Sequence, residues 1–319
     1  MKKQDNLLYN SSQFLISFSL FIGLGITRII NTTKTDTWIS ILLGNLIGLI
    51  LNYLIKRFNN NFKITYYLSN SALLLLGITV ITKLVSSVYL DKTGNITVII
   101  PLLLLIIYSS LKDRYSLSKV ISILNIVYFL MFIFAFASLF PSINIDNFKP
   151  VGINSPINIL LGSLEYALYS TIPFITLPEF KQKYNYKTYL LSSLFLFIIF
   201  ILIIGNLDIN LATTYRYPEY MIFKNIAILN FIENTHNILF FIWLINIYTL
   251  TSHTSLNIKE ITNKKGLIIT IIFIAIIINL FIINTYKTPI IFLNYLDYII
   301  LSIFIIYLSG YLLNTFFKK

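Results

Sequence analysis

Long apolar runs separated by short polar gaps set the plan of this chain. A helix needs about 20 mostly apolar residues to cross a bilayer. Ten runs, the fourth of them short, predict spans at roughly 12–31, 38–55, 66–90, 95–110, 118–140, 156–178, 188–206, 236–257, 266–285 and 289–316. The stretch RYPEYMIFKNIAILNFIEN, 216–234, mixes charges with apolar residues. It reads as a helix lying along the membrane interface, near 217–232, rather than across the bilayer. Residues 1–10 are polar, and the first run continues through Gly23 and Gly25 without a small-residue cleavage site. The first segment is therefore expected to stay as a membrane helix.

Ten spans place both termini on one side. With the N-terminus inside, the inner segments hold Lys2, Lys3, Lys56, Arg57, Lys63, Lys112, Arg114, Lys119, Lys181, Lys183, Lys187, Lys259, Lys264, Lys265, Lys318 and Lys319. The outer segments hold only Arg28, Lys34, Lys92, Lys149, Arg216, Lys224 and Lys287. Basic residues favour the cytoplasmic side, so both termini are expected in the cytoplasm. Five spans per half means the second half is inserted upside down relative to the first. The expected fold is an all-α integral membrane protein of about ten transmembrane helices in two inverted five-helix repeats. Residues 1–140 form one repeat, 141–155 an outer connecting loop, and 156–319 the second repeat.

In that plan the first helix of each half is discontinuous and holds a ligand near the midplane. Span 1 carries Gly23-Leu24-Gly25-Ile26-Thr27, and span 6 carries Tyr169-Ser170-Thr171-Ile172-Pro173. Glycine destabilises a helix interior, and proline removes a backbone donor. Unwound backbone at membrane depth survives only where it is buried in protein or lines a wet cavity. Amides near Gly25 to Thr27 are candidates to receive a carboxylate. Carbonyls near Leu168, Tyr169 and Ser170, with Thr171 beside them, are candidates to receive an ammonium group. Together the breaks suit a small zwitterion such as an amino acid. The plainer reading is that membrane helices use glycine for close packing.

Composition agrees with a bilayer as solvent. Hydrophobic residues make up 57%, charged residues 11%, and mean hydropathy is +0.80. That leaves too little polar surface for a soluble globular domain. The net charge of +12 is spread over the gaps between spans, so it reads as topology and not as a nucleic-acid surface. The chain has no cysteine, which removes disulfides and thiolate chemistry.

Three ionisable residues fall within spans: Lys83, Glu165 and Asp297. Each lies about 12–14 Å below the outer end of its span at 1.5 Å per residue. Such residues are costly in lipid and mark function by default. Arg28, on the outer half of span 1, completes a possible ionic layer with them. Against this, Lys83 can snorkel outward and a protonated Glu165 can simply bond a neighbouring helix. Thr251, Ser252, Thr254 and Ser255 in span 8 are candidate cation ligands, although such hydroxyls more often bond their own helix. His236 and His253 are too isolated for a metal site. No P-loop, HExxH, GxSxG or dinucleotide fingerprint is present, so neither an enzyme nor a cofactor is expected.

The segments YNSSQFLISFSLFIGLGITRI and TDTWISILLGNLIGLI resemble the start of the B subunits of bacterial spore germinant receptors. That family lies within the amino acid–polyamine–organocation transporter superfamily. LGSLEYALYSTIPFITLPEF resembles its broken sixth helix, with Glu165 where the family often has an acid. Residues 217–248 resemble a family pattern through Tyr217, Pro218, Phe231, Glu233, Phe240 and Trp243. The resemblance implies the inverted-repeat fold, a spore inner membrane or bacterial cell membrane location, and recognition of an amino acid-like germinant. It also implies assembly with an A subunit and a lipid-anchored C subunit. GLGITR resembles the first-helix break of sodium-coupled neurotransmitter-type symporters, in which an arginine pairs with a tenth-helix aspartate. Arg28 and Asp297 are the corresponding residues here. The competing functions are a proton- or sodium-coupled amino acid permease and a structural scaffold. The scaffold explains neither the matched breaks nor the intramembrane charges.

Overall fold

The structure, a computed structural model, describes residues 2–56, 63–88, 95–177, 185–225, 240–277 and 288–317. Among them every regular element is helical. In chain order these are α1 (Lys2–Phe18), α2 (Ile26–Thr33), α3 (Thr37–Ile55), α4 (Lys63–Val88), α5 (Asn95–Leu111) and α6 (Arg114–Leu139). Then come α7 (Pro156–Tyr169), α8 (Ile172–Thr176), α9 (Tyr186–Thr214), α10 (Pro218–Met221), α11 (Phe241–Ile277) and α12 (Thr288–Phe317).

The sequence makes the long helix α6 apolar on every side over most of its length. Along α6, Ile121, Tyr128, Phe132 and Ala135 are buried, while Ile123, Ile126, Leu130 and Ile133 are exposed. A water-soluble helix would carry charges on that second face. Here it is hydrocarbon, as contact with lipid requires. Five helical stretches are long and apolar enough to cross a membrane: Ile26–Ile55, Lys63–Ser86, Arg114–Ser142, Pro156–Thr176 and Tyr186–Thr214. Ile99–Leu111 and Tyr298–Leu313 are apolar but shorter. The chain is therefore a multi-pass membrane protein.

Of the ten expected spans, the fifth, sixth and seventh coincide with α6, α7–α8 and α9. The first does not stand as one apolar helix, because α1 begins in polar residues and the chain changes course between Leu20 and Ile26. The expected eighth and ninth spans run partly over 226–239 and 278–287, outside the described residues. Two long helices contain a sharp internal turn. Asp208 (φ 57°) ends the main part of α9, and its side chain caps the amide of Leu211 at 2.9 Å. Asn263 (φ 69°) divides α11 and caps the amides of Lys265 and Gly266. Both combine positive φ with ψ near 180°, a strained backbone that residues with a side chain seldom adopt.

Contacts divide the chain into two units, each drawn from both halves of the sequence. The first comprises 1–53, 121–171 and 185–246; the second comprises 54–120, 172–184 and 247–319. In the first unit α1 packs on α9, and α2 packs on α7. Phe14, Phe129, Phe132 and Phe195 form an aromatic cluster, with Phe14 stacked on Phe129 at 4.8 Å and Phe132 4.4 Å from Phe195. Helices α3 and α7 approach closely at Gly44, where an added Cβ would stand 2.8 Å from the Ser163 carbonyl oxygen. The buried Asp36 carboxylate gathers the 141–155 loop by accepting from the amides of Gly152 (2.7 Å) and Asn154 (3.1 Å).

In the second unit α12 packs on α4, and Leu74 and Ile78 of α4 form a buried cluster with Ile258, Leu267 and Ile271 of α11. The Asn257 amide donates to Asn70 Oδ1 (2.8 Å) and to the Thr176 carbonyl (2.7 Å), so α4, α8 and α11 share one buried polar junction. Arg114 donates to Asn257 Oδ1 at 3.0 Å and forms a two-pronged pair with Glu260.

Candidate functional site

The site is built where α1 gives way to α2, within the first unit. Ile22 takes extended angles (φ −79°, ψ 130°), and Gly23 enters the left-handed region (φ 82°, ψ −14°). A side chain at Gly23 would clash with its own backbone, so glycine is demanded there by conformation. The amides that follow are recaptured. Gly25 N–H donates to the Leu20 carbonyl at 3.1 Å, and Ile26 N–H donates to that of Phe21. Gly25 serves packing instead, since an added Cβ would lie 3.4 Å from the Tyr169 ring.

The amide set apart by the turn is that of Gly23. It donates at 2.7 Å to Oε1 of Glu219, a fully buried carboxyl on α10. Its other oxygen, Oε2, has no hydrogen-bond partner among the described residues. Burial pushes this carboxyl up from its ordinary 4.5 to about 7, and hydrogen bonds from its own amide and from Gly23 only partly offset the effect. Removing a charge from water without a partner is costly, and the group responds by holding its proton. One turn further on, Thr27 donates its hydroxyl to the Arg216 carbonyl at 3.2 Å. The residues that follow span 7 are thus stitched to the start of α2 at two points.

The walls are aromatic. Phe21 lies 4.9 Å from the Tyr166 ring and 5.1 Å from the Tyr169 ring. Tyr166 is held by Ser193 at 3.3 Å, and Tyr189 donates to the Asn45 carbonyl at 3.2 Å. Above them Arg28 Nε stands 3.6 Å from Glu165 Oε1, and Thr32 donates to Glu165 Oε2 at 3.5 Å.

At the end of α7 the backbone turns at Ser170 and Thr171. Both the amide (3.1 Å) and the hydroxyl (2.7 Å) of Thr171 donate to the Leu168 carbonyl. Ser170 donates its hydroxyl to the Ala167 carbonyl at 2.6 Å. The division between the two units falls directly after Thr171.

The structure therefore places Gly23, Gly25, Ile26, Thr27, Arg28 and Glu165 in one unit, with Leu168, Tyr169, Ser170 and Thr171 on the helix that flanks them. The Leu24 side chain lies outside the described residues. Lys83 is half-buried on α4 of the second unit. Asp297 is on α12, and its side chain lies outside the described residues. Thr251, Thr254 and Ser255 bond carbonyls of their own helix, and Ser252 receives Ser109 at 3.1 Å. No cluster of metal-ligating residues occurs among the described residues.

Sequence reasoning missed Glu219. The expected interfacial helix would turn this carboxylate toward water. The described part, Pro218 to Asn225, is instead a short α-turn followed by a 3₁₀ turn, with Pro218, Tyr220, Ile222 and Phe223 buried beside it. The available signal was an acid flanked by Tyr217-Pro218 and Tyr220 in an otherwise apolar stretch. Phe231, Glu233 and His236 lie outside the described residues, whereas Trp243 is buried and stacks on Phe223 at 5.5 Å.

Comparison with curated proteins finds no match. A family model described as "Spore germination protein", a spore permease family, matches residues 62–289. The match covers more than two-thirds of the chain and includes Glu165 and Glu219, while the first-span break precedes it. A multi-pass helical protein matched over that length is a germinant receptor-related membrane protein, and the chain belongs to the spore germination protein family.

Proposed function

We propose that this protein is the membrane-embedded B-type subunit of a spore germinant receptor, binding a small amino acid-like germinant beside the breaks of spans 1 and 6. The observation that carries the reading is the buried left-handed turn at Gly23, set among Phe21, Tyr166 and Tyr169. A positive-φ glycine at membrane depth exposes backbone polarity that a purely structural helix would keep bonded to itself. In this reading the chain follows the inverted-repeat plan with both termini in the cytoplasm, and spans 1 and 6 are its two discontinuous helices. Germinant binding favours one of two conformations, and the change passes to A and C subunits. A receptor requires only different affinities for the two states, not a completed transport cycle.

A second reading, an amino acid permease driven by protons or sodium ions, draws support from the buried acid at the break. One experiment separates the two. Full-length protein in liposomes is presented with a panel of labelled amino acids, and equilibrium binding and uptake are recorded on the same sample. Saturable binding without uptake supports the receptor. Concentrative uptake driven by an ion gradient makes the protein a transporter. No saturable binding of any member of the panel removes both.

A further inference from the structure

Glu219 is the one fully buried acid among the described residues whose carboxyl leaves an oxygen without a hydrogen-bond partner. It is also the group that caps the Gly23 amide, at 2.7 Å. No described lysine or arginine forms an ion pair with it. An acid enclosed in this way is stable as the neutral form, with its carbonyl oxygen accepting from Gly23 and its hydroxyl at the second oxygen. We propose that Glu219 is a proton-binding site that latches the residues after span 7 onto the first-span break, and that a carboxylate-bearing ligand occupies the break only while that proton is in place.

The titratable and charged groups on the neighbouring elements leave Glu219 dependent on its proton. On its own segment, Arg216 lies over the Tyr217 ring at 5.1 Å and Lys224 lies over the Tyr220 ring at 5.5 Å. On α2, Arg28 is engaged by Glu165 of α7. Helix α9 carries Tyr186, Lys187, Tyr189 and Asp208; Tyr189 is bonded to Asn45, and Asp208 caps its own helix. The turn at Phe21–Gly25 contributes no titratable group.

The direction of the pH effect follows from linkage. The latched acid holds its proton to about pH 7, while the same group opened to water has its ordinary value of 4.5. Latching is fully favoured below pH 4.5, weakens as pH rises, and levels off above about pH 7 at about 300-fold less favourable. The ligand clause rests on the function proposed above. A ligand carboxylate and an ionised Glu219 would compete for one amide as like charges, and two carboxylates share such a place only with a proton between them.

The test uses full-length protein in lipid nanodiscs and infrared difference spectroscopy. The carbonyl stretch of a protonated buried carboxylic acid should be present in acid, fade with a midpoint near pH 7, and be absent in Glu219→Gln. Glu219→Asp, one methylene shorter and drawn back from Gly23, should keep a titrating band with its midpoint moved. A band unchanged in both variants, no band at all, or a midpoint at the ordinary carboxylate value would overturn the proton site. With an amino acid that binds in the panel described above, affinity should fall tenfold per pH unit above pH 7 and become flat in Glu219→Gln. Binding equally tight on both sides of pH 7 in the unmodified protein would overturn the ligand clause. If no amino acid binds, the proposed ligand function and the ligand clause fall together, while the infrared titration still decides the proton site.

Discussion

Arg28 and Glu165 face each other at 3.6 Å, the first on α2, just after the turn at Gly23, and the second on α7. Both are partly shielded, with 29% and 12% of their side chains exposed. Each half of the expected inverted repeat contributes one charge, so the pair reports on whether the helices beside the break move together. Removing either member should cost stability, and a double-mutant cycle with Arg28→Ala and Glu165→Gln should give a coupling of about 1 kcal/mol. Chemical unfolding in detergent measures it. Additive effects of the two substitutions would show that the pair does not couple.

Gly23 should resist replacement for a conformational reason that Gly25 does not share. Alanine at Gly23 must take φ 82°, which costs about 1–2 kcal/mol. Alanine at Gly25 keeps helical angles but presses against the Leu20 carbonyl at 3.1 Å and the Tyr169 ring at 3.4 Å. Gly23→Ala is therefore expected to lower the midpoint of thermal unfolding more than Gly25→Ala. Gly25→Leu should displace Tyr169.

Close approach at Gly48 makes a further, compensable prediction. A Cβ there would run into the Tyr189 hydroxyl and lie 2.7 Å from Ser170 Oγ. Gly48→Ala should destabilise by about 1–3 kcal/mol through overpacking. Tyr189→Phe removes the nearer obstacle and should recover part of that loss in the double variant, as read from unfolding midpoints.

Asp36 organises the 141–155 loop through charge-assisted bonds to two backbone amides and to the Asn154 side chain at 3.1 Å. Asp36→Ala removes the acceptor shared by an exposed donor at Gly152 and a half-buried one at Asn154, and is expected to cost about 1–3 kcal/mol. Limited proteolysis should then cut the 141–155 loop faster than in the unmodified protein. Unchanged cleavage would contradict the assigned role.

Much of the helical plan was legible because hydropathy and helix length are local properties. Span 7, expected at 188–206, lies within α9 and ends where Asp208 turns the chain. Span 5, expected at 118–140, is α6 almost residue for residue. The glycines of span 1 mark a real departure from helical angles, located at Ile22 and Gly23. The partner of the amide freed there could not be read locally, since Glu219 is 196 residues away in sequence and only folding brings it to Gly23. Its surroundings misled for a physical reason: an acid between a lysine-bearing turn and an arginine resembles a solvated face until burial is known. The Arg28–Glu165 pair was equally hidden, because sequence gave the depth of each charge but not its angle around the helix.

The most direct test of the central claim compares amino acid binding by the unmodified protein, Gly25→Leu and Leu130→Ala in liposomes. Leu130 is exposed on α6, and α6 carries none of the site residues named above. Saturable binding in the unmodified protein and in Leu130→Ala, lost in Gly25→Leu with helix content preserved, is the predicted result. Equal binding in all three proteins would contradict a ligand site at the first-span break.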